Sequence, residues 1–200
     1  MALTLQPITL RGTHATLEPL APDHAAALSE AARDGELWRL WYTSVPPPED
    51  MAREIERRLS LLSAGSMLPF TVLDPAGTPV GMTTFMNVDA VNHRVEIGST
   101  WYAARVQRTA LNTEAKRLLL GHAFEALGAI AVEFRTDWFN QRSRAAIARL
   151  GAKQDGVLRN SSRHPDGSFR DTVVFSIIES EWPTVRQGLD YQLSRPRGQA

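Results

Sequence analysis

The chain has 200 residues, of which 43% are hydrophobic, and its 22 basic and 22 acidic side chains give a formal net charge of +0. This size and balance predict a single domain over residues 1–200 with a full core, and they argue against a broad surface for nucleic acid or membrane. The sequence contains no cysteine, which excludes disulfides, thiolate metal sites and cysteine nucleophiles.

The predicted elements alternate between strands and amphipathic helices, with glycine or proline at most boundaries. In chain order they are strands at 8–10 and 15–19, helices at 22–35 and 48–64, strands at 68–74, 79–87 and 93–102, a helix that stops at Gly128, a strand at 129–138, a helix at 140–151, strands at 152–160 and 168–178, and a helix at 179–193. Because hairpins outnumber crossovers, this order predicts an α/β (α+β) layer domain with one mixed, largely antiparallel twisted sheet flanked by helices. Its core covers about 8–182, and 179–200 form a terminal helix and tail.

The first residues, "MALTLQPITLRG", have neither a basic start nor a long apolar run. No window approaches the ~20 apolar residues of a membrane span, so we expect a cytoplasmic protein with no membrane partner. Metal-ligand spacing such as H-x-x-x-H is absent, which predicts no metal site.

The strand "RVEIGSTW" carries the first candidate catalytic residue. Strict alternation places Glu96 on one face with Arg94, Gly98 and Thr100, and Trp101 on the other face. A carboxylate that is partly desolvated in the sheet centre has a raised pKa and can act as a general base. The alternative is a structural ion pair with Arg94 or another arginine.

The segment "VQRTALNTEAKRLLLGHAFE" is predicted to run from a loop into a long helix. Free N–H groups at a helix start favour an anion such as a phosphate. The segment has no glycine before Gly121, but helical φ angles from Arg108 to Thr113 would need none. The alternative is an ordinary helix start, with Asn112 and Thr113 as caps.

The segment "TDWFNQRSRAAIARLGA" is predicted to be a strand end followed by a helix. Asn140 suits an N-cap, and Ser143 suits an exposed position in the first turn. Farther upstream, Trp38 and Trp41 are three residues apart and could form one buried helix face.

Together these segments resemble the GCN5-related N-acetyltransferases (GNAT), from about Arg11 to Trp182. The run "QRTALN" is similar to the family's Q/R-x-x-G-x-G/A loop, and "IGSTWYAARVQRTALNTEAKRLLLGHAFE" resembles the branch that includes ribosomal-protein N-terminal acetyltransferases. The chain departs from the family where Ala110 and Asn112 occupy positions that usually carry glycine or alanine. It also has no acidic residue in "RNSSRH", where some N-terminal acetyltransferases place a glutamate base.

The resemblance implies an acetyl-CoA-dependent N-acetyltransferase, with Glu96 as the base and Ser143 as the proton donor to the thiolate. It implies three groups of binding residues: Thr100, Trp101, Tyr102, Asn140 and Ser143 along the pantetheine; Gln107, Arg108, Thr109, Ala110, Leu111, Asn112 and Thr113 around the pyrophosphate; and Trp38, Trp41, Tyr42 and Arg94 at the acceptor. The acceptor is a primary amine of a small molecule or a peptide N-terminus, and a homodimer is left open. The alternatives are an N-terminal acetyltransferase of a ribosomal protein and a non-catalytic acyl-CoA-binding sensor or partner module.

Overall fold

A computed structural model describes residues 3–195 as one mixed sheet covered by helices on both faces. The strands are β1 (Leu10–Arg11), β2 (Thr16–Pro19), β3 (Met67–Leu73), β4 (Pro79–Asp89), β5 (Arg94–Tyr102), β6 (Ala131–Asp137), β7 (Lys153–Arg163) and β8 (Phe169–Ile178). The α-helices are α1 (Ala25–Arg33), α2 (Met51–Ser63), α3 (Ala110–Gly121), α4 (Gln141–Ala148) and α5 (Trp182–Ser194). This order of elements confirms the predicted one; of the predicted tail, 196–200 lie outside the described residues.

The eight strands follow the order β1-β2-β3-β4-β5-β6-β8-β7. Neighbouring strands are antiparallel except β5 and β6, which are parallel because α3 crosses between them. The predicted fold class is therefore confirmed, with β5 near the sheet centre. Predicted bounds were less accurate: β7 extends to Arg163, beyond the predicted end at residue 160.

Two apolar clusters fill the two sides of the sheet. On one side α1 and α2 pack through residues such as Leu28 and Ile55. On the other side α3 and α5 pack through residues such as Leu119 and Leu189. Helices with one apolar stripe each are stable only when that stripe is buried, so the sheet and the four helices depend on one another.

A bulge in β5 reverses the predicted alternation of faces. Ser99 adopts a left-handed φ of +48°, and the register with β4 shifts there. Thr100 therefore points toward α3, while Trp101 joins the cluster beneath α1 and α2. The prediction that Thr100 shares the face of Glu96 was wrong, because an inserted residue changes the period of two.

The start of α3 also differs from the prediction. The N-cap is Thr109, whose hydroxyl accepts from the Leu111 N–H over 3.3 Å, and not Asn112 or Thr113. Arg108 has a left-handed φ of +58°, so the φ angles from Arg108 onward are not all helical. The chain turns at Arg108 by adopting a conformation that glycine adopts more easily. A π-helical turn, His122–Ala126, continues α3, and the predicted stop at Gly128 is confirmed by its φ of +66°.

Candidate active site

The centre of the sheet opens into a cleft between β5 and β6. The two strands pair only from Arg94–Ala131 to Glu96–Glu133, and beyond that point they diverge. The opening has a volume of about 650 Å³ and is lined by both strands, by the starts of α3 and α4 and by the loop before α2. Diverging strands leave backbone donors and acceptors without a strand partner, which makes this edge suited to an extended polar ligand.

The cleft brings together many of the residues predicted from the sequence. Those that line it are Glu96, Thr100, Trp101, Tyr102, Gln107, Asn112, Asn140, Ser143 and Tyr42. Those absent from its lining are Arg108, Thr109, Ala110, Leu111, Thr113, Trp38, Trp41 and Arg94. The predicted base, proton donor and pantetheine residues therefore lie in one place, whereas the predicted pyrophosphate and acceptor residues do so only in part.

Glu96 lies where the two strands begin to separate. Its side chain is 6% exposed, accepts a hydrogen bond from the Asn87 amide over 2.7 Å and has the Arg135 Nε at 3.5 Å. Burial raises the pKa of Glu96, although Asn87 and Arg135 act in the opposite direction. A Cβ at Gly98 would lie 2.9 Å from Glu96 Oε1, so the glycine leaves room for the carboxylate.

Arg94 is not the partner of Glu96. Its guanidinium binds Glu133 on β6, with Nε at 3.1 Å from Oε1. The predicted alternative of an ion pair therefore holds for Arg135 and not for Arg94. Because Arg94 is engaged by Glu133 and does not line the cleft, nothing in the geometry supports its predicted role at the acceptor.

Of the first turn of α3, only Asn112 lines the cleft. Leu111 is in the core, and the Thr113 hydroxyl accepts from Arg149 over 3.0 Å. The side chains of Leu111 and Thr113 are therefore not ligand groups. Because Ala110 and Asn112 lie in the first turn, their N–H groups have no carbonyl acceptor within the helix. These groups are therefore available to bind an anion.

Lys116, one turn farther along α3, is a site residue that the sequence analysis missed. Its side chain lines the cleft, is buried and donates from Nζ to the hydroxyls of Thr100 over 2.7 Å and Thr83 over 3.1 Å. Burial lowers the pKa of Lys116 to about 7. In the sequence, Lys116 could have been identified as a charged residue next to the apolar stripe that includes Leu119 and Leu120.

Arg58 on α2 is a second charged residue that the sequence analysis missed. It is 2% exposed, pairs with Glu54 through its Nε at 2.7 Å, and donates from Nη1 to the Thr84 hydroxyl over 2.8 Å. Its Nη1 also lies 3.4 Å from the carbonyl oxygen of Ser99. Arg58 thus connects α2 to the bulge in β5. In the sequence, Arg58 could have been identified as a charged residue within the apolar stripe that begins with Met51.

The start of α4 borders the cleft on the side of β6. Asn140 is the N-cap, and its Oδ1 accepts from the Ser143 N–H over 3.0 Å. The predicted cap is confirmed, and Asn140 also lines the cleft. Ser143, the third residue of α4, also lines the cleft.

The aromatic residues before α2 do not form a buried helix face. Trp38 lies in a single 3₁₀ turn, Leu37–Arg39, whereas Trp41 lies outside it and is 52% exposed. The interpretation of Trp38 and Trp41 as one helix face was therefore wrong, because Leu40 has an extended conformation (φ −82°, ψ 114°) that ends the turn before Trp41. Trp41 instead contacts Tyr42, Phe139 and His164, with ring centroids 5.1 to 5.5 Å apart.

Two further features of the described chain concern metal ions and membranes. No group of three or more histidine, aspartate or glutamate side chains in residues 3–195 is placed to hold a metal ion. None of the helices within the same range is long and apolar enough to cross a bilayer.

Comparison with known proteins places the chain in a family. Residues 14–153 match the model of the acetyltransferase (GNAT) domain. A curated Bacillus subtilis (strain 168) protein, "Putative ribosomal N-acetyltransferase YdaF", is 28% identical over 176 residues, which cover 84% of this chain and 93% of that protein.

Two solved structures give the same result. A GCN5-related N-acetyltransferase from Brucella melitensis is 27% identical with a TM-score of 0.85, over 96% of this chain and 87% of that chain. A "putative acetyltransferase" from T. thermophilus is 35% identical with a TM-score of 0.82, over 94% and 98%. The chain belongs to the GNAT family and is an acetyltransferase, a class of enzyme that uses acetyl-CoA.

Proposed function

We propose that the chain transfers the acetyl group of acetyl-CoA directly to a primary amine, with Glu96 as the general base. The observation that carries this proposal is a buried carboxylate with a raised pKa at the point where β5 and β6 separate. Glu96 takes one proton from the acceptor ammonium, directly or through one water, and so generates the neutral amine. A base whose pKa is raised toward neutrality is better matched to this proton than an exposed carboxylate.

The residues of the cleft fit acetyl-CoA on physical grounds. The indole N–H of Trp101 and the hydroxyl of Tyr102 are buried in the cleft lining and find no hydrogen-bond partner among residues 3–195. Such groups are costly unless a ligand or water pairs with them. The open edge from Thr100 to Tyr102 and the amide of Asn140 would hold the pantetheine arm.

The start of α3 would hold the pyrophosphate. We assign this role to the backbone N–H groups of Ala110 and Asn112, with Gln107 placed beside them by its hydrogen bond to the Tyr102 carbonyl over 2.9 Å. The remaining predicted residues, Arg108, Thr109, Leu111 and Thr113, contribute through the shape of the turn and not through side chains in the cleft.

When bound, acetyl-CoA supplies the thioester carbonyl that the amine attacks, with an N–C bond forming as the C–S bond breaks. Ser143 lies on the α4 side of the cleft, where its hydroxyl can pass a proton to the departing sulfur and regain one from the nitrogen, which loses its second proton as the amide forms. The protein contains no cysteine, so an acetyl-cysteine route is excluded by composition. Backbone N–H groups of β5 beyond Ser99 polarise the carbonyl.

The proposed acceptor is the N-terminus of a protein or a small-molecule amine. The name of the Bacillus subtilis relative refers to the ribosome, which favours a protein N-terminus over a small-molecule amine. Tyr42 lines the cleft and packs against Trp41, so it provides an apolar border for either. A cytoplasmic location stays a prediction from the sequence, and a homodimer stays open.

The test uses the full chain. Calorimetry with coenzyme A measures binding, and thiol release in the presence of acetyl-CoA measures turnover over amines, amino acids and N-terminal peptides. Wild type should turn over at least one acceptor, and Glu96→Gln should bind coenzyme A normally while lowering kcat at neutral pH by at least about tenfold. Unchanged kcat would remove Glu96 from the mechanism, and binding without turnover of any acceptor would favour an acyl-CoA sensor.

A further inference from the structure

Asp137 is the last residue of β6, and only one oxygen of its buried carboxylate accepts a hydrogen bond. It is 1% exposed, and its Oδ1 accepts from the Phe139 N–H over 2.8 Å. Its Oδ2 lies 3.3 Å from the His164 Nε2 and 3.6 Å from the Arg170 Nε, but neither contact has hydrogen-bond geometry. Within residues 3–195, both Asp137 Oδ2 and Arg170 Nε lack a hydrogen-bond partner.

These two atoms form a matched acceptor and donor. A buried carboxylate oxygen and a buried guanidinium N–H are each costly to leave unpaired, although their opposite charges attract each other. Asp137 and Arg170 both line the cleft. A ligand that offers one N–H and one carbonyl oxygen at this place would satisfy both.

The pair lies on the same side of the cleft as the proposed base, farther along β6. Glu96 pairs in register with Glu133, and Asp137 is four residues farther along β6, which corresponds to about 13 Å. Arg135, between Glu133 and Asp137, has its Nε 3.5 Å from Glu96 Oε2, so these side chains share one face of the sheet. An acceptor whose amine approaches Glu96 would therefore extend toward Asp137 and Arg170.

We propose that Asp137 and Arg170 bind the main chain of a peptide acceptor, with the carboxylate accepting from an amide N–H and the guanidinium donating to the carbonyl of the same residue. This inference rests on the function proposed above and names its acceptor class. An extended peptide advances about 3.3 Å per residue, so a span of about 13 Å corresponds to about four residues, and the bound residue is the fourth or fifth from the acetylated N-terminus.

Neighbouring side chains favour a peptide over other amines. A polyamine offers no carbonyl to Arg170, and the carboxylate of a free amino acid would place a negative charge beside Asp137. His164 is held between Asp137 and the ring of Trp41, at a centroid distance of 5.1 Å from the latter. Trp41 and Phe139, 52% and 59% exposed, extend this wall outward, where later residues of a peptide would lie.

The experiment compares acceptors that differ only in these groups. Thiol release is measured with hexapeptides that vary at the first residue, with n-hexylamine, and with the best peptide carrying an ester in place of the amide at its fourth or fifth residue. The variants are Asp137→Asn, which keeps an oxygen for the Phe139 N–H, Arg170→Gln, and Arg163→Gln as the control in the same hairpin.

We expect Asp137→Asn and Arg170→Gln to lower kcat/KM for the peptide about ten- to one-hundredfold, mainly through KM, and to change the rate with n-hexylamine less than about twofold. For wild type, one of the two ester peptides should have a kcat/KM lower than that of the amide peptide by a similar factor. For Asp137→Asn, the same ester should cause no further loss. Arg163→Gln should match wild type. Equal losses on peptide and n-hexylamine, or an ester effect that persists in Asp137→Asn, would overturn the proposal.

Failure of the proposed function gives a different pattern. If no acceptor is turned over, peptide binding to the coenzyme A-saturated protein is measured by calorimetry. Binding that Asp137→Asn and Arg170→Gln weaken about tenfold or more would support the peptide site without catalysis. Binding that is undetectable, or equal in all variants, would overturn it. Thermal unfolding shows whether Asp137→Asn or Arg170→Gln fails to fold. If one of them does, the result for the other variant tests the proposal.

Discussion

The side-chain amide of Asn87 donates a 2.7 Å hydrogen bond to the Glu96 carboxylate from the neighbouring strand β4. Asn87 has a left-handed φ of +48°, a conformation that asparagine tolerates better than most residues. The bond favours the ionised form of Glu96 and so opposes the effect of burial on its pKa. Asn87 thereby sets how readily the proposed base is available at neutral pH.

Replacing Asn87 with alanine should move the acidic limb of the kcat/KM profile to higher pH. Without the amide donor, burial of Glu96 is opposed mainly by Arg135, and the pKa of Glu96 rises further. We expect a shift on the order of one pH unit, measured by thiol release between about pH 5 and 9. Asn92→Ala, which loses only the exposed contact with Asp89, is the control. A profile that does not move would show that Asn87 has no influence on the catalytic ionisation.

Replacing Lys116 with methionine should stabilise the protein below pH 7. In the folded state the pKa of Lys116 is about 7, against 10.5 for a free lysine, so below pH 7 the buried charge carries its full cost. Between pH 7 and 10.5 that cost falls, because the folded lysine is neutral while the unfolded one is still protonated. Thr83 and Thr100 keep a partner in the variant, since their hydroxyls lie 2.7 Å apart.

Urea unfolding at about pH 6 and about pH 9.5 tests this prediction. At the lower pH the variant should gain about 1–3 kcal/mol, and the gain should shrink markedly at the higher pH. Loss of stability at the lower pH, or a gain that does not depend on pH, would contradict a buried lysine with a lowered pKa.

The two neighbouring arginines of α2 should differ sharply in their contribution to stability. Arg57 and Arg58 both bind Glu54, but Arg57 is half exposed, whereas Arg58 is buried and also binds Thr84. We expect Arg58→Met to cost about 3 kcal/mol in urea unfolding and Arg57→Met less than about 1 kcal/mol. Equal costs would mean that the surface pair, and not the connection to β5, accounts for the effect.

A negative charge in the first turn of α3 should weaken coenzyme A binding. Asn112 lines the cleft beside the N–H groups assigned to the pyrophosphate, so Asn112→Asp adds like-charge repulsion there. We expect roughly three- to tenfold weaker binding by calorimetry at low salt, with a smaller effect at about 0.5 M salt; these factors correspond to about 1 kcal/mol. Asn112→Ser is the neutral control. Unchanged affinity in the aspartate variant would argue against an anion site at this helix start.

Much of the fold follows from local patterns in the sequence. Apolar periodicity and the turns at Gly77, Gly128 and Gly167 predict the order of elements, because each helix or strand signals its own ends. The predicted clustering of Glu96, Asn140 and Ser143 came from the resemblance to a family, and the structure places all three in one cleft.

The features that the sequence analysis missed depend on contacts between distant residues. Nothing local marks Ser99 or Arg108 as left-handed, since neither is glycine, and the bulge at Ser99 reversed the predicted face of Thr100. Asp137 and Arg170 are far apart in the sequence and meet only because β6 and β8 are neighbours. The burial of Lys116 and Arg58 could be inferred from their positions within apolar stripes. The residues that they contact could not be inferred from the sequence.

The early end of pairing between β5 and β6 has a consequence for the exchange of backbone amides with solvent. Amides on the facing edges beyond Glu96 and Glu133 are not protected by a partner strand. An extended ligand that carries its own amide groups would supply the missing hydrogen bonds, and those edges would then exchange slowly while the β4–β5 ladder stayed unchanged. The sheet of the free protein therefore lacks hydrogen bonds between these two edges. Each catalytic cycle would form them when the ligand binds and break them when it leaves.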